Sequence, residues 1–211
     1  VTAWADRDAN GFDFAQGTEA AQPTWNASTD AANGHATISF DGDDYLARAA
    51  ALFTATPATV FVVGMSTSNS ARLATFSIGD DDVDTHYRIL RWSGDASNDS
   101  IDLRSNVGGA FESVSTTTFY TANQFHIGMM REAALGDRSV TLDGGGVGSS
   151  IASRAMTGFD TTHIGATAQA TPGQFLTGDI AEVVAYARDL SAADLAATLA
   201  YLAARYGITL A

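Results

Sequence analysis

Apolar and polar residues alternate with a period of two along most of this chain. Ile38 and Phe40 alternate with Thr37 and Ser39 before the turn signal Asp41-Gly42. Ile101 and Leu103 alternate with Asp102 and Arg104, and Phe125, Ile127 and Met129 alternate with His126, Gly128 and Met130. Successive side chains of a strand point to opposite faces, so this pattern predicts β-strands. The stretch 59–65 is apolar almost throughout, as expected of a central strand covered on both faces. Strands are also predicted at 73–78 and 86–92, on either side of the acidic loop Asp80-Asp81-Asp82-Val83-Asp84. Val140 and Leu142 run into Asp143-Gly144-Gly145-Gly146, a hairpin signal, and the last clear strands are 163–165 and 178–187.

The period changes once, over 191–206. There Leu195, Leu199, Leu202 and Tyr206 fall on one stripe of an alanine-rich helix, which should bury its leucines against a sheet. Ser191 is the expected N-cap, with Asp194 reaching back toward the cap amide, and Gly207 supplies the left-handed stop. Arg205 complements the negative end of the helix. Many short strands followed by one helix predict an all-β fold, a two-sheet antiparallel jelly-roll sandwich with one C-terminal helix. No repeat or composition break divides the 211 residues, so a single domain spanning 1–211 is expected.

Composition narrows the chemistry. There is no cysteine, which removes disulfides, thiol nucleophiles and thiolate metal sites. All eleven cations are arginine, which removes every lysine-dependent mechanism. A net charge of −13 repels phosphate backbones and anionic lipid, so neither nucleic acid nor a membrane surface is an expected partner. No apolar run approaches the roughly 18–20 residues that span a bilayer, so no membrane insertion is expected. Twenty aspartates against four glutamates place the acids in loops and turns, where they suit either calcium or a solvated acidic surface. The chain opens on Val1 without a basic-then-apolar leader, which reads as a processed product or a piece of a longer polypeptide.

Several segments together resemble the laminin-G-like branch of the concanavalin A-like lectin/glucanase superfamily, in its bacterial and phage form. They are Trp4-Ala-Asp-Arg-Asp-Ala-Asn-Gly11, Gln22-Pro-Thr-Trp25, Phe40-Asp-Gly-Asp-Asp-Tyr-Leu46, Thr59-Val-Phe-Val-Val-Gly64, Phe76-Ser-Ile-Gly79 and Leu142-Asp-Gly144. The closing stretch Gly178-Asp-Ile-Ala-Glu-Val-Val-Ala-Tyr186, with Leu190-Ser191 and Tyr201-Leu-Ala-Ala-Arg-Tyr-Gly-Ile208, is the most similar. The resemblance implies a concanavalin A-like jelly roll with a concave face, displayed outside the cell, and binding or scaffolding more often than catalysis. It also implies a packing role for Trp4 and Trp25. The fold alone does not choose a function.

The superfamily's glucanases carry paired acids on one strand, but none of Glu19, Glu112, Glu132 and Glu182 has a carboxylate two residues away on a clear strand. Gln124-Phe125-His126 resembles a strand motif of alginate lyases of this fold, yet the companion motifs are missing, and a solvated or core-edge His126 is expected. His35, His86, His126 and His163 show no close metal-ligand spacing. The run 144–148 follows a strand without opening a helix, so it reads as a mobile hairpin loop rather than a phosphate cradle. Glu182 shares strand parity with Ile180, Val184 and Tyr186, and a partly buried carboxylate there calls for an arginine partner.

Flat aromatic rings are the usual sugar platforms. Trp92, at a strand end before Ser93-Gly94, is the candidate for an exposed one, with His86, Tyr87 and Arg88 of the same strand completing a ligand site. The loop Asp6-Arg-Asp8-Ala-Asn10-Gly11 reproduces the D-x-D-x-N-G opening of a calcium loop, so Asp6, Asp8, Asn10 and Asp13 are the candidate ligands of a calcium ion. The expected function is a non-catalytic recognition or adhesion module on a cell or virion surface. Its partner would be a glycan or a glycosylated surface. The alternatives are a structural module contacting neighbouring chains of a larger assembly such as a phage virion, and, more distantly, a polysaccharide lyase.

Overall fold

The computed structural model describes residues 1–7, 11–94, 99–152 and 154–211. Among the described residues fifteen strands, numbered in chain order, form two antiparallel sheets. One sheet runs β1 (Ala3–Trp4), β2 (Phe14–Ala15), β5 (Leu46–Arg48), β14 (Thr161–Ile164), β7 (Arg72–Gly79), β8 (His86–Ser93), β9 (Ser100–Val107) and β10 (Ala110–Ser115). The other runs β13 (Gly145–Ser150), β12 (Asp137–Leu142), β11 (His126–Ala134), β6 (Ala58–Ser66), β15 (Thr177–Tyr186), β4 (His35–Asp41) and β3 (Thr24–Thr29). The chain ends in α1 (Ala192–Tyr206). This is the all-β sandwich with one C-terminal helix that the alternation predicts.

The main core lies between the sheets and draws on both, from Leu73, Phe76, Ile78, Leu90, Trp92, Ile101 and Leu103 on one side to Ile38, Phe40, Val60, Val62, Val140 and Ile180 on the other. A second core forms where α1 packs on the outer face of the seven-stranded sheet, against Phe61, Val63, Ile127 and Met129. The seven-stranded sheet is thus covered on both faces, which is why β6 shows no alternation in its sequence. Leu202 is fully buried there, whereas Leu195 and Leu199 are only half-buried, less than the helical stripe predicts. Ser191 Oγ accepts the Asp194 amide at 3.2 Å, and Gly207 ends the helix at φ 67°. The Asp194 carboxylate lies against Arg188 at 3.4 Å.

Two features escape strand parity. A bulge between Ile180 and Glu182 shifts the register of β15 on β6. Ile180 therefore faces the inter-sheet core, while Glu182 turns to the helix side. The 144–148 run is a tight turn, with Asp143 at φ 51° and Gly144 at φ 81°, leading into edge strand β13. Two successive positive φ angles match the twist of a two-residue hairpin turn, so the glycine run builds a strand pair and not a mobile loop. Among the described residues no helix is long and apolar enough to cross a membrane.

Candidate functional site

Arg72, Arg91, Ser93, Ser100, Asp102, Arg104, Ser113 and Ser115 alternate along β7–β10 with the core residues Leu73, Trp92, Ile101, Leu103 and Val114, so they lie on the outer face of the eight-stranded sheet. Together with Thr116, Thr117 and Phe119 they line a cleft of about 480 Å³. Antiparallel register sets Arg91 directly opposite Asp102 and Arg104 opposite Ser113. Arg91 donates from Nε and Nη2 to Asp102 Oδ2 at 3.2 and 2.9 Å, and from Nη1 to Gln174 Oε1 at 2.9 Å. Ser100 Oγ donates to Asp102 Oδ1 at 3.2 Å, so both oxygens of the cleft's carboxylate are engaged. Burial pushes the Arg91 guanidinium down, partly offset by its bonds to Asp102.

Arg104 stacks over the Phe111 ring, 4.2 Å from its centroid, and its buried Nε has no hydrogen-bond partner. Phe111 and Phe119 are each 56% exposed, which is unusual for phenylalanine and leaves two rings facing solvent. Sequence reading missed both. Neither sits in a motif, and only the strand register shows that Phe111 belongs to the face that carries Arg104.

The four residues expected to bind a ligand do not meet in this cleft. Trp92 is fully buried in the inter-sheet core. Its indole packs against Gly128, where a Cβ would come within 3.0 Å of the ring, so it is no exposed platform. Arg88 also points inward. It donates to Glu132 across the sandwich, to Ser105 Oγ at 3.1 Å and to the Arg154 carbonyl at 2.6 Å. Arg138 and Arg154 join the cluster through Glu112, at 3.2 and 3.4 Å. Burial pushes the Glu132 carboxyl up, against the pull of Arg88 and Arg138. Tyr87 is buried on the outer face with Ala74 and Ile89, and His86 Nδ1 is buried without a partner. Trp25, expected to pack, is 60% exposed on edge strand β3, whereas Trp4 packs against the main core.

Of the candidate calcium ligands, Asp8 and Asn10 lie outside the described residues. Asp13 Oδ1 accepts the Asp6 amide at 2.7 Å, a turn-closing bond. Two other groups bring carboxylate oxygens within 4.8 Å of one another: Asp80, Asp81, Asp82 and Asp160, and Asp41, Asp43 and Asp44.

The remaining polar candidates serve the fold. His126 Nε2 accepts the Thr121 amide at 3.0 Å, so its ring proton sits on Nδ1 and is donated to Asp143 Oδ2 at 2.7 Å. The pair borders a smaller cleft of about 370 Å³ near the end of α1, but both ring nitrogens are taken. Glu182 finds its arginine, Arg205 at 3.5 Å, and accepts the Tyr206 hydroxyl at 2.8 Å.

No family model and no curated relative matches the sequence. Solved structures of similar shape were found at low identity. Domain 4 of a GH43 extracellular arabinanase from Geobacillus stearothermophilus, solved with arabinotriose, has a TM-score of 0.67 at 16% identity, over 97% of this chain and 87% of that one. The CBM40 domain of a Ruminococcus gnavus IT-sialidase, bound to α2,3-sialyllactose, has a TM-score of 0.62 at 14% identity, over 77% and 96%. A heptameric SAP-like pentraxin from Limulus polyphemus reaches 0.54 at 15% identity, over 74% and 77%. The shared property is the fold, a two-sheet antiparallel β-sandwich.

Proposed function

We propose that this protein is a non-catalytic glycan-binding module that works outside the cell and holds its sugar in the cleft over β7–β10. The observation that carries this reading is the cleft itself: an outer sheet face lined by serine and threonine hydroxyls and arginine forks, with Phe119 exposed beside it. Hydroxyls and guanidinium groups match the hydroxyl pattern of a sugar, and a flat ring matches its C–H face. The Geobacillus and Ruminococcus domains of the same fold were solved with saccharides, which supports this reading. Catalysis has little to work with here. A glycosidase needs two carboxylates facing one bond, and among the described residues the cleft lining holds one, Asp102, already bonded on both oxygens.

A glycan array probed with the purified chain tests the proposal. Binding to at least one glycan class is expected, with Phe119→Ala lowering the affinity at least tenfold at an unchanged melting temperature. An array without a positive spot, or an affinity indifferent to Phe119, would overturn it.

A further inference from the structure

The cleft has a charge opposite to that of the molecule around it. The chain carries −13, yet among the described residues Arg72, Arg91 and Arg104 line this one face with a single carboxylate, Asp102, among them. Asp102 is committed to Arg91 and Ser100. Arg91 is in turn held by Gln174 from the segment that crosses β7, where the Gln174 carbonyl accepts the Ala74 amide at 2.7 Å. The Arg91–Asp102 pair is therefore a fixed and internally neutral floor. Among the described residues neither Arg72 nor Arg104 forms an ion pair. Arg72 is exposed, and Arg104 has its Cζ over the Phe111 ring with its buried Nε unpartnered.

A guanidinium immobilised on an aromatic face keeps its donors in one plane, pre-organised for a two-oxygen acceptor. We infer that the cleft selects acidic saccharides, whose carboxylate or sulfate groups meet Arg72 at one end of the cleft and Arg104 at the other while a sugar ring lies on Phe119. This inference rests on the glycan-binding reading and names the ligand class for the same cleft. The neutral floor orients the ligand's hydroxyls, and the Arg72 and Arg104 guanidinium groups choose its charge. The overall negative charge then acts as a filter, because an acidic polymer is repelled from the rest of the surface and attracted only here.

The test compares matched pairs that differ only in charge: polygalacturonate against its fully methyl-esterified form, and dextran sulfate against dextran, by titration calorimetry at two salt concentrations. The acidic member of at least one pair is expected to bind at least tenfold more tightly, and less so at higher salt. Which pair responds tells carboxylate from sulfate. Arg104→Gln should reduce acidic binding to the level of the neutral partner. Arg72→Gln, at an exposed position that the fold does not need, should do the same at an unchanged melting temperature. Equal binding of acidic and neutral members overturns the inference and leaves the glycan reading standing. So does binding on the array by neutral glycans alone. No binding to any polymer and an empty array overturn both.

Discussion

His163 is buried on β14, its Nδ1 within 3.1 Å of the Thr167 carbonyl, and burial pushes its pKa down from 6.5 to about 4. The folded protein therefore holds this imidazole neutral, while the unfolded chain takes up a proton near 6.5. The stabilisation is complete above that value and is lost as pH falls from 6.5 toward 4, to a total of roughly 3 kcal/mol. Denaturant melts of the wild type should lose more stability over that interval than melts of His163→Gln. Identical slopes would show that the site admits the charged ring. At this scale the sequence misled most where charge is buried. Trp92 follows Arg91 at a strand end before Ser93-Gly94, which makes it look exposed, yet it shares with His86, Arg88 and Leu90 the face of β8 that turns to the core. The partner that lets Arg88 point inward, Glu132, is on β11. Nothing in the spacing of the two residues announces the pair.

The helix is the element most open to a clean test. Leu202 is fully buried between α1 and β6–β11, whereas Leu199 is half-buried. Leu202→Ala should cost about 2–4 kcal/mol, as a core truncation that leaves a cavity, and Leu199→Ala distinctly less. Equal losses in thermal or denaturant melts would mean that the helix is seated differently. Elements long enough to show a period were legible in the sequence: β4, β6, β7, β8, β9, β11, β12 and β15 all fall where alternation or continuous apolarity puts them, as does α1 with its Ser191 cap. Elements of two or three residues, such as β1, β2 and β5, carry no period of their own and exist because a neighbouring strand offers hydrogen bonds. The bulge in β15 was equally hidden. It changes parity without changing composition, and so it moved Glu182 to the face opposite Ile180.

At the scale of the whole molecule the proposed site depends on register. Arg72, Arg91, Arg104 and Phe119 come from separate strands and from the segment after β10, and they meet only because β7–β10 pair in sequence order along one edge of the eight-stranded sheet. Each looks ordinary in its local sequence, which is why the sandwich could be read from the chain and the cleft could not. The resemblance to laminin-G-like domains pointed to the fold and to a concave face but not to the strands that carry the site. Saccharide binding on the outer face of β7–β10 is tested by an amide chemical-shift titration of the labelled protein with oligogalacturonate. The shifts are expected to concentrate at Arg72, Arg91, Ser93, Asp102, Arg104, Ser113 and Phe119, and to leave α1 and the Trp25 edge unmoved. Shifts confined to the small cleft at His126 and Tyr206, or to the exposed Trp25 face, would contradict it.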